Sequence, residues 1–291
     1  MSLNTVLWLG FGDIGQRCVP LLVGAGFTVD AVARSEKSSK YVRDMYRADV
    51  NDSARMAQIL RIHYDLIVVT LTPSGRTEAD YRRAYYDTIS STLNLFTLGL
   101  CEPQQIIFIS STSVYSQNNG ELINEDSAAE PLSATAKVLL ETEELLKTSS
   151  IPVCTLRFSG IYGPGRYHLL RSVMAGAKGD ESWTNRIHVD DCAGVIAFLA
   201  ARYLNGKFLP NVILASDNLP VKSCVMYPWL AQRLSPRSIQ ELTYKRESVK
   251  RAGINKRCNN GLLRKLGYRF KYEDYRRGFE DIMRQFLQCQ D

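Results

Sequence analysis

No apolar stretch of the 291-residue chain approaches the roughly 18 residues needed to cross a bilayer as a helix, so no membrane-spanning helix and no membrane partner are expected. Cysteine is sparse and odd in number. The seven (18, 101, 154, 192, 224, 258 and 289) are scattered, without a Cys-x-x-Cys pair, and most sit among apolar neighbours. They are expected to be small core residues in a reducing cytoplasm, not a disulfide framework. The only three histidines (63, 168 and 188) lack metal-ligand spacing, and no structural metal is expected. The N-terminus enters an apolar strand directly, and no secretory leader is expected. No internal repeat or low-complexity tract is present.

Charge is the one uneven feature. Residues 243–286 hold thirteen Lys/Arg against five Asp/Glu, an excess larger than the whole net charge of +6. One reading is a solvated helical face; the other is a surface near an anionic substrate such as a nucleoside diphosphate. The arginines are not interleaved with a nucleic-acid reading motif, so nucleic acid is not expected as a partner.

Against this background one segment stands out. Val6-Leu-Trp-Leu is followed by Gly10, Phe11, Gly12, Asp13, Ile14 and Gly15, and then by a small-residue amphipathic stretch. This reads as strand, tight turn and helix. The first glycine permits the turn, the second permits close approach to a pyrophosphate, and the third permits helix–strand packing. The phosphates would lie at the helix N-terminus, where free N–H groups favour negative charge.

Apolar strand patterns then alternate with helical ones. Strands are expected at 5–9, 28–33, 46–49, 65–72, 105–110, 153–158 and 211–215, and helices at 12–25, 53–62, 78–99, 133–146 and 189–201. The pattern predicts an α/β fold, a doubly wound Rossmann parallel sheet with a smaller, discontinuous C-terminal lobe. The NAD(P)-binding domain is expected over 1–161 and 187–218, and the substrate lobe over 162–186 and 219–291.

The C-terminal ends of such strands form the ligand crevice. Arg34 and Ser35 end the second strand, 19 and 20 residues after Gly15, where a carboxylate would bind a ribose 2′-OH. A basic residue there favours NADP(H) over NAD(H). Asp49 is placed to accept from the adenine amine. Thr70, Leu71 and Thr72 end the fourth strand, and Ser110, Ser111 and Thr112 end the fifth, facing nicotinamide and substrate.

Four landmarks arrive in order: Gly10–Gly15; Ser110-Ser-Thr-Ser-Val-Tyr115; Leu156-Arg-Phe-Ser-Gly-Ile-Tyr-Gly-Pro-Gly165; and Arg186-Ile-His-Val-Asp-Asp191. Lys265-Leu-Gly-Tyr-Arg-Phe270 makes a fifth. Together they cover nearly the whole chain, which resembles an extended short-chain dehydrogenase/reductase of the nucleotide-sugar epimerase/dehydratase type. In that family a tyrosine and a lysine four residues apart share one helix face. The lysine holds the nicotinamide ribose and lowers the tyrosine's pKa from about 10. The resemblance aligns Lys137 with the lysine and Ser133 with the tyrosine, and Leu9 stands where the first glycine of the family falls. Both departures resemble an atypical subgroup without the full catalytic set.

The resemblance further implies that Ser111 orients a substrate hydroxyl. Thr112 occupies a position that is acidic in dehydratases. Phe158, Ser159 and Ile161 flank the nicotinamide, Tyr115 and Tyr162 are neighbouring phenols, and Arg257 meets a substrate diphosphate. The long helices 78–99 and 133–146 suit a four-helix homodimer contact, as in the family. Two functions remain open. One is an NADP(H)-dependent reductase or epimerase acting on a polar, nucleotide-linked small molecule. The other is a catalytically weak or inactive protein that senses NADP(H) or a metabolite.

Overall fold

The computed structural model describes residues 4–234 and 255–288. Its centre is a seven-stranded parallel sheet. Across the sheet the strands run Val212–Ala215, Val153–Phe158, Gln105–Ser111, Leu66–Val69, Thr5–Leu9, Thr28–Ala33 and Met45–Arg47. The first strand is fully buried because apolar residues occupy both faces of its sheet position, as expected of a parallel strand covered on both sides. It pairs in parallel with Thr28–Ala33 on one side and Leu66–Val69 on the other. The chain therefore leaves the first strand toward one edge and later builds toward the other. The Gly10–Gly15 turn lies at that reversal, the usual place for a ligand crevice.

The chain divides into two compact units. The first comprises 1–114, 129–157 and 193–213; the second comprises 115–128, 158–192 and 214–291. Segments 115–128, 158–161, 187–192 and 214–218 thus fall with the second unit, whereas the sequence reading assigned them to the main domain. In the first unit Leu7, Leu9, Val32, Ile67, Val69, Ile106 and Phe108 form the core on one side of the sheet with Met56, Ile59, Ile89 and Leu146. In the second unit Tyr162, Leu170, Val173, Met226 and Leu230 pack with the inner face of helix Tyr275–Gln288. That helix buries Tyr275, Gly278, Phe279, Ile282, Met283 and Phe286, the spacing of an amphipathic stripe. Its Arg276, Arg277 and Arg284 are exposed, so this part of the basic excess is a solvated face. Residues 243–254 of the basic stretch, and Cys289, lie outside the described residues.

Several elements differ from their expected form. The helix predicted at 78–99 is three pieces: Glu78–Tyr81, a π-helical turn Arg82–Asp87, and Thr88–Thr97. The second unit also contains strands of two or three residues, too short for any periodicity. Gly160–Tyr162 pairs with Arg186–His188, Trp183–Thr184 with Val221–Lys222, and Glu121–Ile123 with Lys256–Cys258. Cys18, Cys101, Cys154, Cys192 and Cys258 are buried thiols, and burial pushes Cys154 up to about 12. Among the described residues no helix is long and apolar enough to cross a membrane.

Helix Ala134–Lys147 is held against the sheet by a buried ion pair. Glu143 and Arg157 are 1% and 4% exposed. Arg157 Nε lies 3.1 Å from both Glu143 oxygens and Nη2 2.5 Å from Oε2. Ser110 Oγ donates to Glu143 Oε1 at 2.5 Å, so the carboxylate is surrounded by donors. Removing one member of such a pair leaves an uncompensated charge in the interior, at a cost of about 3–5 kcal/mol. Glu143→Ala is therefore expected to destabilise the protein by that amount in urea unfolding; a loss under 1 kcal/mol would show that the pair does not anchor the helix.

Candidate nucleotide-binding cleft

The turn after the first strand is built from hydrogen bonds that only glycine geometry allows. Gly10 has φ +87°, and a Cβ there would lie 2.8 Å from the Thr70 carbonyl oxygen. The N–H groups of Gly10 and Phe11 both donate to Val32 O, at 3.1 and 2.9 Å. Trp8 Nε1 donates to Thr70 Oγ1 at 2.7 Å, and that hydroxyl donates to Gly10 O at 2.9 Å. The fourth strand thus locks the loop from beneath. At Gly15 a Cβ would meet the Phe11 and Trp8 rings within 2.9 Å, so the helix can approach the strand only without a side chain. Gly12 caps helix Asp13–Gly24 with no side-chain hydrogen bond, leaving its first N–H groups open to a ligand. The Asp13 carboxylate in that first turn is paired with Arg17 at 2.8 Å.

Beyond the turn lies a cavity of ≈ 300 Å³. Its floor is Gly10, Phe11 and Gly12, and one wall carries Arg34, Ser35 and Lys37. Asp49 and Asn51 also line it, with Thr70, Leu71 and Thr72 just beyond the end of the fourth strand. Arg34 Nη2 donates to Thr72 O at 3.3 Å. Among the described residues Arg34 and Lys37 have no carboxylate partner, so their charge is open to an anion. Asp49 is held below the usual carboxylate range, first by the Asn51 backbone N–H and then by Arg83. Six of the sequence-selected positions, Arg34, Ser35, Asp49, Thr70, Leu71 and Thr72, thus meet in one cleft with Gly10, Phe11 and Gly12. Among the polar lining residues, Asn51, Ser74, Asp80 and Arg83 carry no motif. No local pattern marks them, because they arrive from loops, from the short helix Glu78–Tyr81 and from the π turn.

Other candidates lie elsewhere. Ser110 is buried and its hydroxyl is committed to Glu143, so it is a structural donor and not a cleft group. Ser111 Oγ accepts from Ser113 N at 3.1 Å, and Thr112 is 8% exposed. Ser133 is the N-cap of its helix, accepting from Ala136 N at 3.2 Å. Lys137 is exposed and lines a separate groove with Tyr86, Leu140, Glu141 and Leu145. The cause is helix rotation. Glu143, Leu139 and Ala136 are buried, and Lys137, two residues from Leu139, points about 160° away from it. In contrast to the expected pairing, the inward face of this helix carries Thr135, Leu139 and Glu143.

The remaining candidates belong to the second unit. Phe158 is buried, Ile161 is half-buried, and Ser159 Oγ is buried without a hydrogen-bond partner among the described residues. Tyr162 is a core residue. It stacks on Phe279 at 4.5 Å, its hydroxyl donates to Asp274 O at 3.4 Å, and burial raises its pKa above that of a free phenol. Tyr115 is fully buried, and its carbonyl accepts from Lys256 Nζ at 2.5 Å. Lys256 is itself 4% exposed, and burial pushes its ammonium down to about 8. Arg257 Nε donates to Gly120 O at 2.9 Å, while its guanidinium lies 5.2 Å from the Trp183 ring centre.

The arrangement has relatives. The model of the NAD dependent epimerase/dehydratase family matches residues 9–208. A putative NAD-dependent epimerase/dehydratase from Methylobacillus flagellatus is 29% identical, with 98% of this chain and 100% of that one covered at a TM-score of 0.80. Protein YeeZ of Escherichia coli K12 is 28% identical over 218 residues, 73% of this chain and 75% of its own. The structure of MoeE5 in complex with UDP-glucose and NAD shares the fold at 20% identity and TM-score 0.79, covering 99% of this chain and 100% of that one. With its glycine turn inside the matched region, the chain belongs to the NAD-dependent epimerase/dehydratase family.

Proposed function

We propose that the cleft binds NADP(H) in preference to NAD(H), and that the protein carries out reductase or epimerase chemistry on a polar, nucleotide-linked small molecule. One observation carries the cofactor reading: Arg34, Ser35 and Lys37 line the same cavity as Gly10 and Gly12, with no carboxylate at the tip of the second strand. Gly10, Phe11 and Gly12 would hold the pyrophosphate, Arg34 and Ser35 the 2′-phosphate, and Asp49 the adenine amine. The nicotinamide of the bound cofactor supplies the hydride donor or acceptor. Ser111 is the hydroxyl assigned to orienting the substrate. Substrate class is supported by the neighbour that carries UDP-glucose and by Arg257, whose Nε alone is spent on the backbone.

A second reading, a slow or inactive sensor of NADP(H) or of a metabolite, is favoured by the helix 134–147. Its inward face offers Thr135 and Leu139, neither of which can hold or move a proton as a lysine-tuned phenol does. General acid–base catalysis contributes about 10²–10⁴-fold, so turnover without another phenol or a water in that place would be slow.

Arg34→Ala is expected to weaken NADPH binding about ten- to hundred-fold, the effect of one lost charge-assisted hydrogen bond, with NADH little changed. Calorimetric titration of both cofactors checks this, and equal affinities in the unaltered protein would refute the preference. UDP-sugars should raise the melting temperature beyond cofactor alone, with a salt-sensitive shift that shrinks in Arg257→Ala. No shift from any nucleotide or nucleotide sugar would remove the nucleotide-linked substrate. Lys137→Ala should leave NADPH affinity unchanged, and Ser133→Ala should cost about 1 kcal/mol as a lost N-cap with little effect on turnover. A large loss of cofactor affinity in Lys137→Ala would instead restore Lys137 to the ribose.

A further inference from the structure

The adenosine end of the cleft is closed by a residue that no motif singles out. Arg83 lies in the π-helical turn Arg82–Asp87. Its Nη2 donates to Asp49 Oδ2 at 3.1 Å, while its own carbonyl accepts from Asn51 Nδ2 at 3.2 Å. Asn51 in turn donates its backbone N–H to Asp49 Oδ1 at 3.0 Å. Asp49, Asn51 and Arg83 therefore form a closed ring of hydrogen bonds. The fully buried Thr88 anchors it, with its hydroxyl 3.1 Å from Asn51 Oδ1 and 3.3 Å from Arg83 O. π turns are rare and recur at functional sites. Here the turn separates two consecutive arginines. Arg82 pairs with Glu141 at 2.7 Å on the outer helix face, whereas Arg83 lines the cleft.

We infer that Arg83 is an adenosine-binding residue: Asp49 holds its guanidinium by one edge, and its planar face covers the adenine ring. The inference rests on the cofactor reading above. A guanidinium held at one edge keeps its flat face available, and arginine favours such stacking on aromatic systems. The 2′-phosphate is the poorer partner, because it would have to compete with the Asp49 carboxylate for Arg83. Arg34 and Lys37, without carboxylate partners among the described residues, line the same cleft. The Asp49–Arg83 pair is also largely exposed, at 35% and 68%, so it adds little to stability and its loss should leave the fold intact.

The test is titration of NADH and NADPH against the unaltered protein, Arg83→Ala and Arg83→Lys, with melting temperature as the control for folding. Arg83→Ala should weaken both cofactors by the same factor, about two- to five-fold, the size of one exposed cation–π contact. Arg83→Lys should recover only part of the loss, because an ammonium lacks the planar face. Unchanged affinities would overturn the assignment, and so would full recovery in Arg83→Lys. A loss confined to NADPH would make Arg83 a phosphate ligand and also overturn it. If the unaltered protein binds neither dinucleotide, the cofactor reading fails first; tight binding with no response at Arg83 fails only this inference. Should Arg83→Ala melt early, Arg83→Lys, which keeps a cation beside Asp49, carries the comparison.

Discussion

The contact between Glu143 and Arg157 decides more of this structure than its size suggests. A buried carboxylate must be met by donors, and here a guanidinium and the Ser110 hydroxyl converge on it. That requirement fixes the rotation of helix Ala134–Lys147. Once Glu143 points inward, Leu139 and Thr135 follow it one and two turns away, and Lys137 must face outward. Which chemistry the helix can offer is thus set by a structural ion pair lying beyond the end of the segment that was expected to carry catalysis.

The cleft is held together differently. Its floor depends on conformation, through a glycine that no other residue can replace beside the Thr70 carbonyl. Its walls depend on charge, with Arg34 and Lys37 exposed and Asp49 already paired. Exposed charges are screened by salt over about 10 Å at 0.1 M, so they select between anions mainly at contact distance. The floor of the cleft is thus set by backbone geometry, and the charge at its rim by exposed side chains.

Much of this was legible beforehand. The strand Thr5–Leu9, the glycine turn and the alternation behind it are local signals, and the ends of the second and fourth strands fall on the same cleft. The helix near 134 was legible as well, but its rotation was not. Several pairs four residues apart satisfy a one-face rule, and only the partner of Glu143, fourteen residues on, selects among them. Nor could the break at Arg82 be read, since a π turn leaves the apolar pattern of 78–99 almost intact. The strands pairing 121–123 with 256–258 are far apart in sequence and too short to announce themselves.

Lys256 carries a consequence in protons. Folding moves its ammonium out of water and beside the Tyr115 carbonyl, and its pKa falls to about 8 from the ordinary 10.5. Between those two values the unfolded chain holds a proton that the native chain has released. Folding is then coupled to proton release, and each rise in pH through this window tilts the equilibrium toward the native state. For this one residue mild alkali is a stabiliser, the reverse of its effect on a lysine whose pKa is raised by a salt bridge.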